Sequence, residues 1–305
     1  MTVLVPDQFK GEAHFNAQGI STIARSREER LDIRPMRIGI LNLMPSAQDY
    51  EVHLLAPLGR PILQVEPIWI RLASHAYKST PHAHLDKLYV TYKEAKRAAP
   101  LDGLIITGAP VELLPFEDVT YWSELEEIIG DAHQHSASIL GICWGGLALA
   151  RYIGLEKEIY PKKIFGVFPH KRLTSINHPL VGGFDDIFLS PQSRHAGISD
   201  ALLETAAQRG EINLLAWGKE SGYTIFETVD HRLVMHLGHP EYIKRRLVDE
   251  YLRDRAAERI DVDAPHGIDL ERPRNTWRSQ RNSFFEGWLK LVYLRSLGIE
   301  TDDQS

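Results

Sequence analysis

The chain has 305 residues, 43% of them apolar and 25% charged, with a formal net charge of −6 at pH 7. This is the profile of a globular protein with a sizeable core, and the acidic balance argues against a general nucleic-acid binder. A single cysteine excludes an intrachain disulfide, and no Cys/His cluster has zinc spacing, so no metal is expected.

The opening stretch MTVLVPDQFKGEAHF lacks a basic segment followed by an apolar one, and no apolar run reaches the roughly 18 residues of a membrane helix. A cytoplasmic protein without membrane contact is therefore expected. Residues 1–35 are polar, with the charge run Arg25–Arg30, and predict an irregular N-terminal arm on the surface, leaving 36–305 as one domain. MRIGILNLMP (36–45) is a continuous apolar run ended by Pro45, the pattern of a strand buried on both faces. ILQVEPIWIR (62–71) and LDGLIITGAP (101–110) predict two more strands. YWSELEEIIGDAHQHS (121–136) has helical periodicity with Ser123 as a cap, ASILGIC (137–143) is a fourth strand, and WGGLALARYIG (144–154) its following helix. Strands alternating with helices point to an α/β fold, a mostly parallel sheet covered by helices on both faces. From about 160 to 235 the elements shorten into hairpins, the last turning at Asp230-His231. Residues 241–258 predict a charged helix, 263–275 a loop, and 283–298 a C-terminal amphipathic helix.

The lone cysteine, Cys143, sits where a strand becomes a helix. A cysteine in an apolar run is ordinarily a small buried hydrophobe. Here, however, Gly141 and Gly145 flank it at i−2 and i+2, the cysteine version of the G-x-S-x-G elbow. Such a turn presents the sulfur at a helix N-terminus and frees the N–H of Trp144 for an oxyanion. Among fourteen histidines, His239 in LGHPEY stands out because it follows a strand-like run. Pro240 pushes its predecessor to extended geometry, where residues two apart share a side, so Glu241 can lie beside His239. A carboxylate there fixes the imidazole tautomer. Cys143, His239 and Glu241 thus read as nucleophile, base and orienter.

The pair G-x-C-x-G and HPE resembles the class I glutamine amidotransferase (flavodoxin-like) fold. IRPMRIGILNLMP, LQVEP, DGLIITGAP, F-x-DV-x-YW, GGFDD-x-F-x-SP-x-SR, GHPEY and TWRS-x-x-N, in this order over nearly the whole chain, resemble the homoserine O-acyltransferase (homoserine transsuccinylase) family of methionine biosynthesis. The resemblance implies ping-pong acyl transfer. Cys143 would be acylated by an acyl-CoA, with no bound cofactor, and the acyl group would pass to the hydroxyl of an amino acid. It also implies that His239 is the base, Glu241 its orienter, and Gly108-Ala109 an oxyanion contributor beside Trp144. Lys163, Ser193 and Arg253 fall at the family's substrate-binding positions, and Arg253 suits a bidentate grip on a carboxylate. Glu112 occupies a site where glycine accompanies succinyl-CoA and glutamate acetyl-CoA; a carboxylate there would repel the succinyl group.

The sequence departs from the family after NLMP, where a lysine-bearing segment with a Thr-Glu pair is common. Here Ala47 and Tyr50 replace the lysine and the threonine, and Glu51 is retained. A phenol at Tyr50 could shorten the acceptor pocket, making Ala47 and Tyr50 candidates for acceptor specificity. HPEY is followed by Ile243 where aspartate is usual. The leading expectation is acetyl transfer from acetyl-CoA to L-homoserine. Rivals are L-serine as acceptor for cysteine synthesis, succinyl transfer, a glutaminase subunit of a glutamine amidotransferase, and a redox-sensing cysteine. The expected partners are small-molecule substrates, with a homodimer left open.

Overall fold

Alternate residues of the central strands feed two separate apolar layers in the computed structural model, which describes residues 2–5, 21–24 and 34–299. In chain order the strands are β1 (Thr2–Val5), β2 (Ser21–Ala24), β3 (Met36–Leu41), β4 (Val65–Arg71), β5 (Val90–Thr91), β6 (Gly103–Ile106) and β7 (Ser138–Ile142). They continue as β8 (Glu158–Arg172), β9 (Ile187–Gly197), β10 (Ile212–Gly218), β11 (Gly222–Thr228) and β12 (Leu233–His236). All join one sheet in the order β2-β1-β4-β3-β6-β7-β12-β11-β10-β8-β9, with β5 on β4. From β2 to β12 the pairings are parallel. From β12 to β9 they are antiparallel. The mostly parallel, doubly covered sheet read from the sequence is present.

Eight helices are described: α1 (Ala47–Leu58), α2 (His82–Leu88), α3 (Tyr92–Ala98), α4 (Trp122–His135), α5 (Trp144–Tyr152), α6 (Asp200–Gln208), α7 (Arg246–Ala256) and α8 (Arg278–Ser296). On one face, Ile38, Ile40, Ile105, Leu140, Ile142 and Val234 pack with Leu54 and Leu58 of α1 and Phe284, Trp288 and Val292 of α8. On the other, Leu104, Ile106, Ile139, Leu233 and Met235 pack with Leu125 and Ile129 of α4, Leu147 of α5 and Leu203 of α6. A period of two along the strands therefore meets helices on both sides, which is why these runs read as continuously apolar.

Three expectations are corrected. The N-terminal arm is not irregular throughout, since β1 and β2 extend the parallel sheet at its edge; Arg25–Arg30 lies outside the described residues. Ser123 caps nothing: α4 begins at Trp122, with Tyr121 at its N-cap. Helices also occupy stretches given no assignment. α1 is buried over most of its length and so lacks a polar face for periodicity to reveal. α2 and α3 are seven residues each, too short to show a pattern.

Candidate active site

The C-terminal ends of β6, β7 and β12 lie side by side, and the segments leaving them build one site, where open α/β sheets place their ligands. Cys143 leaves β7 with φ 51° and ψ −113°, a left-handed conformation costly for a residue with a side chain. Its N–H is tied to the His236 carbonyl at 2.8 Å, and its carbonyl accepts from Leu147 N–H at 3.1 Å in α5. The flanking glycines make the turn geometrically possible. A Cβ on Gly141 would lie 2.4 Å from the Gly145 carbonyl oxygen, and one on Gly145 would lie 2.3 Å from that of Ile106. Trp144 opens α5, so its N–H has no intrahelical acceptor.

His239 meets this sulfur from the end of β12. It is 3% exposed and is a side-chain hydrogen-bond partner of Cys143. Its Nδ1–H donates to Glu241 Oε1 at 2.7 Å. Burial disfavours the imidazolium, but the Cys143 sulfur and the Glu241 carboxylate outweigh it and hold His239 well above the ordinary histidine range. The two side chains meet for a different reason from the one read in the sequence. Tyr242 N–H donates to the His239 carbonyl at 3.2 Å, so His-Pro-Glu-Tyr is a β-turn with proline at its second position, not an extended segment. The turn also stacks the Tyr242 ring on the imidazole, centroids 4.0 Å apart.

Glu241 is fully buried. Its Oε1 accepts a second bond from the Tyr50 hydroxyl, while Oε2 has no hydrogen-bond partner among the described residues. Burial, then the neighbouring Glu241 charge, push the Tyr50 phenol well above its ordinary range, so it stays a donor. Tyr50, expected to act on the acceptor pocket, is thus bonded to the carboxylate behind the histidine. Ala47, one helical turn earlier, is wholly buried. Glu51 points elsewhere, accepting from Tyr89 at 2.7 Å and pairing with His84 at 2.8 Å.

Gly108 closes the site from β6. A Cβ there would sit 3.5 Å from both Cys143 Cβ and His239 Cε1, which places this backbone against the Cys143 and His239 side chains. Ser193 follows on β9, its carbonyl 4.0 Å from the Cys143 sulfur and its hydroxyl donating to Glu250 Oε2 at 2.5 Å. Lys163 is buried beside the same carboxylate at 3.6 Å and bonds Asp254 at 3.1 Å. Arg253 is largely exposed and pairs with Asp254. Lys163, Ser193 and Arg253 therefore converge on α7, through two acids, Glu250 and Asp254, that the sequence analysis did not single out within its predicted charged helix. Burial pushes Glu250 up, but Lys163, Arg246 and the other groups around it bring it down to about 2. Glu112, half-buried, lies within electrostatic reach of His195, Lys157 and Arg259.

Among the described residues, one cluster has a metal-type donor set: His178, Glu227 and His231, at the opposite end of the sheet. Leu180 N–H donates to His178 Nδ1 at 3.3 Å, which puts the imidazole proton on Nε2, facing Glu227 at 3.0 Å. His231 also contacts that oxygen, so the cluster reads as paired hydrogen bonds onto a buried carboxylate. No helix of the described residues is long and apolar enough to cross a membrane.

The profile of the family described as homoserine O-succinyltransferase matches residues 2–297. The chain is 37% identical to the homoserine O-acetyltransferase of Lachnoclostridium phytofermentans over 295 residues, 95% of this chain and 96% of that one. It is 36% identical to the homoserine O-succinyltransferase of Aeromonas salmonicida over 308 residues, 99% and 96% of the two chains. A glutamine amidotransferase from Thermotoga maritima shares the fold, with TM-score 0.52 at 13% identity over 85% of this chain and 99% of that one.

Proposed function

The chain belongs to the homoserine O-succinyltransferase family, and we propose that it transfers an acetyl group from acetyl-CoA to the hydroxyl of L-homoserine through a Cys143 thioester. O-acetyl-L-homoserine, a methionine precursor, would be the product. The observation that carries this reading is the strained Cys143 elbow, with its sulfur against a buried His239 that Glu241 holds in one tautomer. His239, held above its ordinary range, takes the thiol proton, and the resulting Cys143 thiolate attacks the acetyl carbonyl. The oxyanion of the tetrahedral intermediate faces the Trp144 N–H and the Gly108-Ala109 backbone. Collapse breaks the bond to CoA, whose thiolate recovers the proton from His239. In the second half, His239 removes the homoserine hydroxyl proton as that oxygen attacks the thioester, and Cys143 leaves. Lys163, Ser193 and Arg253 would bind substrate, Arg253 taking the amino-acid carboxylate.

Glu112 favours acetyl over succinyl, since its carboxylate occupies the place of a second one. With acetyl-CoA and no acceptor, intact-mass measurement should find one acetyl adduct on the wild-type chain and none on Cys143→Ala. His239→Ala should lower kcat by roughly a thousandfold or more. An adduct that survives in Cys143→Ala, or near-normal turnover in His239→Ala, contradicts the mechanism.

A further inference from the structure

The chain leaving β6 runs on from Gly108 through Val-Glu-Leu-Leu (111–114), a loop that belongs to no strand or helix and carries Glu112. Its two ends are held. Gly108 backs onto the Cys143 and His239 side chains, and Phe116 is buried with its ring 5.9 Å from that of Trp144. The middle has little of its own. Leu113 and Leu114 are 49% and 43% exposed, so burial does not anchor them. A single turn bond, from Leu114 N–H to the Val111 carbonyl at 3.0 Å, spans the stretch.

Lys157 supplies what the loop lacks. Its ammonium donates to the Glu112 carbonyl at 2.6 Å and also to the Leu114 carbonyl, and it lies 4.8 Å from the centre of the Phe116 ring. An ammonium has three rotatable donors, so it can hold two carbonyl oxygens at once. The base of this lysine is itself rigid. Leu155 N–H folds back onto the Ala150 carbonyl of α5 at 2.9 Å, the Leu155 side chain is buried, and Glu158 pairs with Gly197 in the sheet. The clamp therefore ties the Glu112 loop to α5, the helix that starts directly after Cys143. Burial lowers the Lys157 ammonium from its ordinary range, opposed by the charges of Glu112, Glu117 and Glu156. Although these three acids are near, the hydrogen bonds of the ammonium go to the main chain of the loop.

We propose that Lys157 is a positioning residue for the choice of acyl donor: by holding the main chain at Glu112 and Leu114 it fixes where the Glu112 carboxylate stands. The proposal rests on the reading of Glu112 as the group that turns succinyl away. Charge repulsion falls with distance, so a carboxylate on a loop free to swing would yield to a second one, and discrimination would fall with it. Lys157 thus acts through Glu112, on the ratio of donors.

Hydrogen exchange tests the clamp without any substrate. Lys157→Met keeps an apolar stem beside Phe116 and loses the donors, so the Leu114 amide should exchange roughly tenfold faster or more, with β6 and α5 unchanged. Lys157→Arg restores donors and should stay closer to wild type; Lys157→Gln, with an amide donor, carries the same test if the methionine variant does not fold. Unchanged exchange in Lys157→Met overturns the clamp, whatever the enzyme does. The donor role is read from kcat/KM for acetyl-CoA and succinyl-CoA with homoserine as acceptor. Acetylation of wild-type Cys143 is established first; its absence would fell the acyl-transfer reading and the donor role with it, while exchange still judges the clamp. In Lys157→Met the ratio should move toward succinyl-CoA by roughly fivefold or more, and Glu112→Gly in the same chain should add little beyond its own effect, since both act at one carboxylate. An equal loss with both donors, as from a merely structural lysine, or effects that multiply in the double variant, would overturn the donor role.

Discussion

Tyr50→Phe isolates the bond behind the histidine. The substitution keeps the ring, which is buried and packed edge-on to His53 with centroids 5.9 Å apart, and deletes only the hydroxyl that donates to Glu241. Glu241 is 0% exposed and its Oε2 already lacks a partner among the described residues, so no water replaces the lost donor and the carboxylate keeps one bond, from His239. Hydrogen bonds to charged groups are worth about 1.5–3 kcal/mol, which predicts a fall of about 10- to 150-fold in kcat. The phenol bonds the Glu241 carboxylate, so on the proposed mechanism KM should hold and the ratio of kcat/KM for homoserine and serine should stay constant. A continuous assay of CoA release measures all three quantities. The decisive control repeats the substitution in Glu241→Gln: if Tyr50 acts through that carboxylate, its effect shrinks there instead of multiplying. Turnover within twofold of wild type, or full multiplicativity in the double variant, would refute the reasoning. A changed acceptor ratio in Tyr50→Phe would return the residue to the pocket-shortening role that the sequence suggested.

The donor and the acid limb give two further tests. Glu112→Gly removes a carboxylate from among Lys157, His195 and Arg259, leaving cations to meet a succinyl group, so kcat/KM for succinyl-CoA should rise relative to acetyl-CoA; an unmoved ratio removes Glu112 as the selector. Burial brings His170 to about 4, and burial first, then the neighbouring His170 and His239, brings His236 to about 3. Both are neutral in the fold and titrate near 6.5 once unfolded, so the unfolded chain takes up the protons first. Stability is therefore complete above about pH 6.5 and is lost as pH falls toward 4 and 3, by about 1.4 kcal/mol per pH unit for each histidine. Urea melts between pH 7 and 5 should show this slope, shallower in His170→Gln; identical slopes would refute it.

The parallel core and the strand-to-helix elbow at Cys143 were legible because each rests on local rules. A strand buried on both faces must be apolar throughout, and a turn as tight as that at Cys143 must have glycines where the backbone passes within 2.3–2.4 Å of a would-be Cβ. The His239–Glu241 pair was found through the wrong intermediate. Proline was read as enforcing extension, whereas at the second position of a turn it folds the next residue back, and both geometries bring the two side chains together. The short helices α2 and α3 and the buried α1 were missed because periodicity needs length and a polar face. What escaped entirely depends on long-range contact. Tyr50 and Glu241 are 191 positions apart, and Ser193 and Glu250 are 57 apart, joined only when α1 and α7 dock at the sheet edge. Composition treats Glu250 as one more charge on a charged helix, yet it is buried and bonded or paired with Lys163, Ser193, Tyr242 and Arg246.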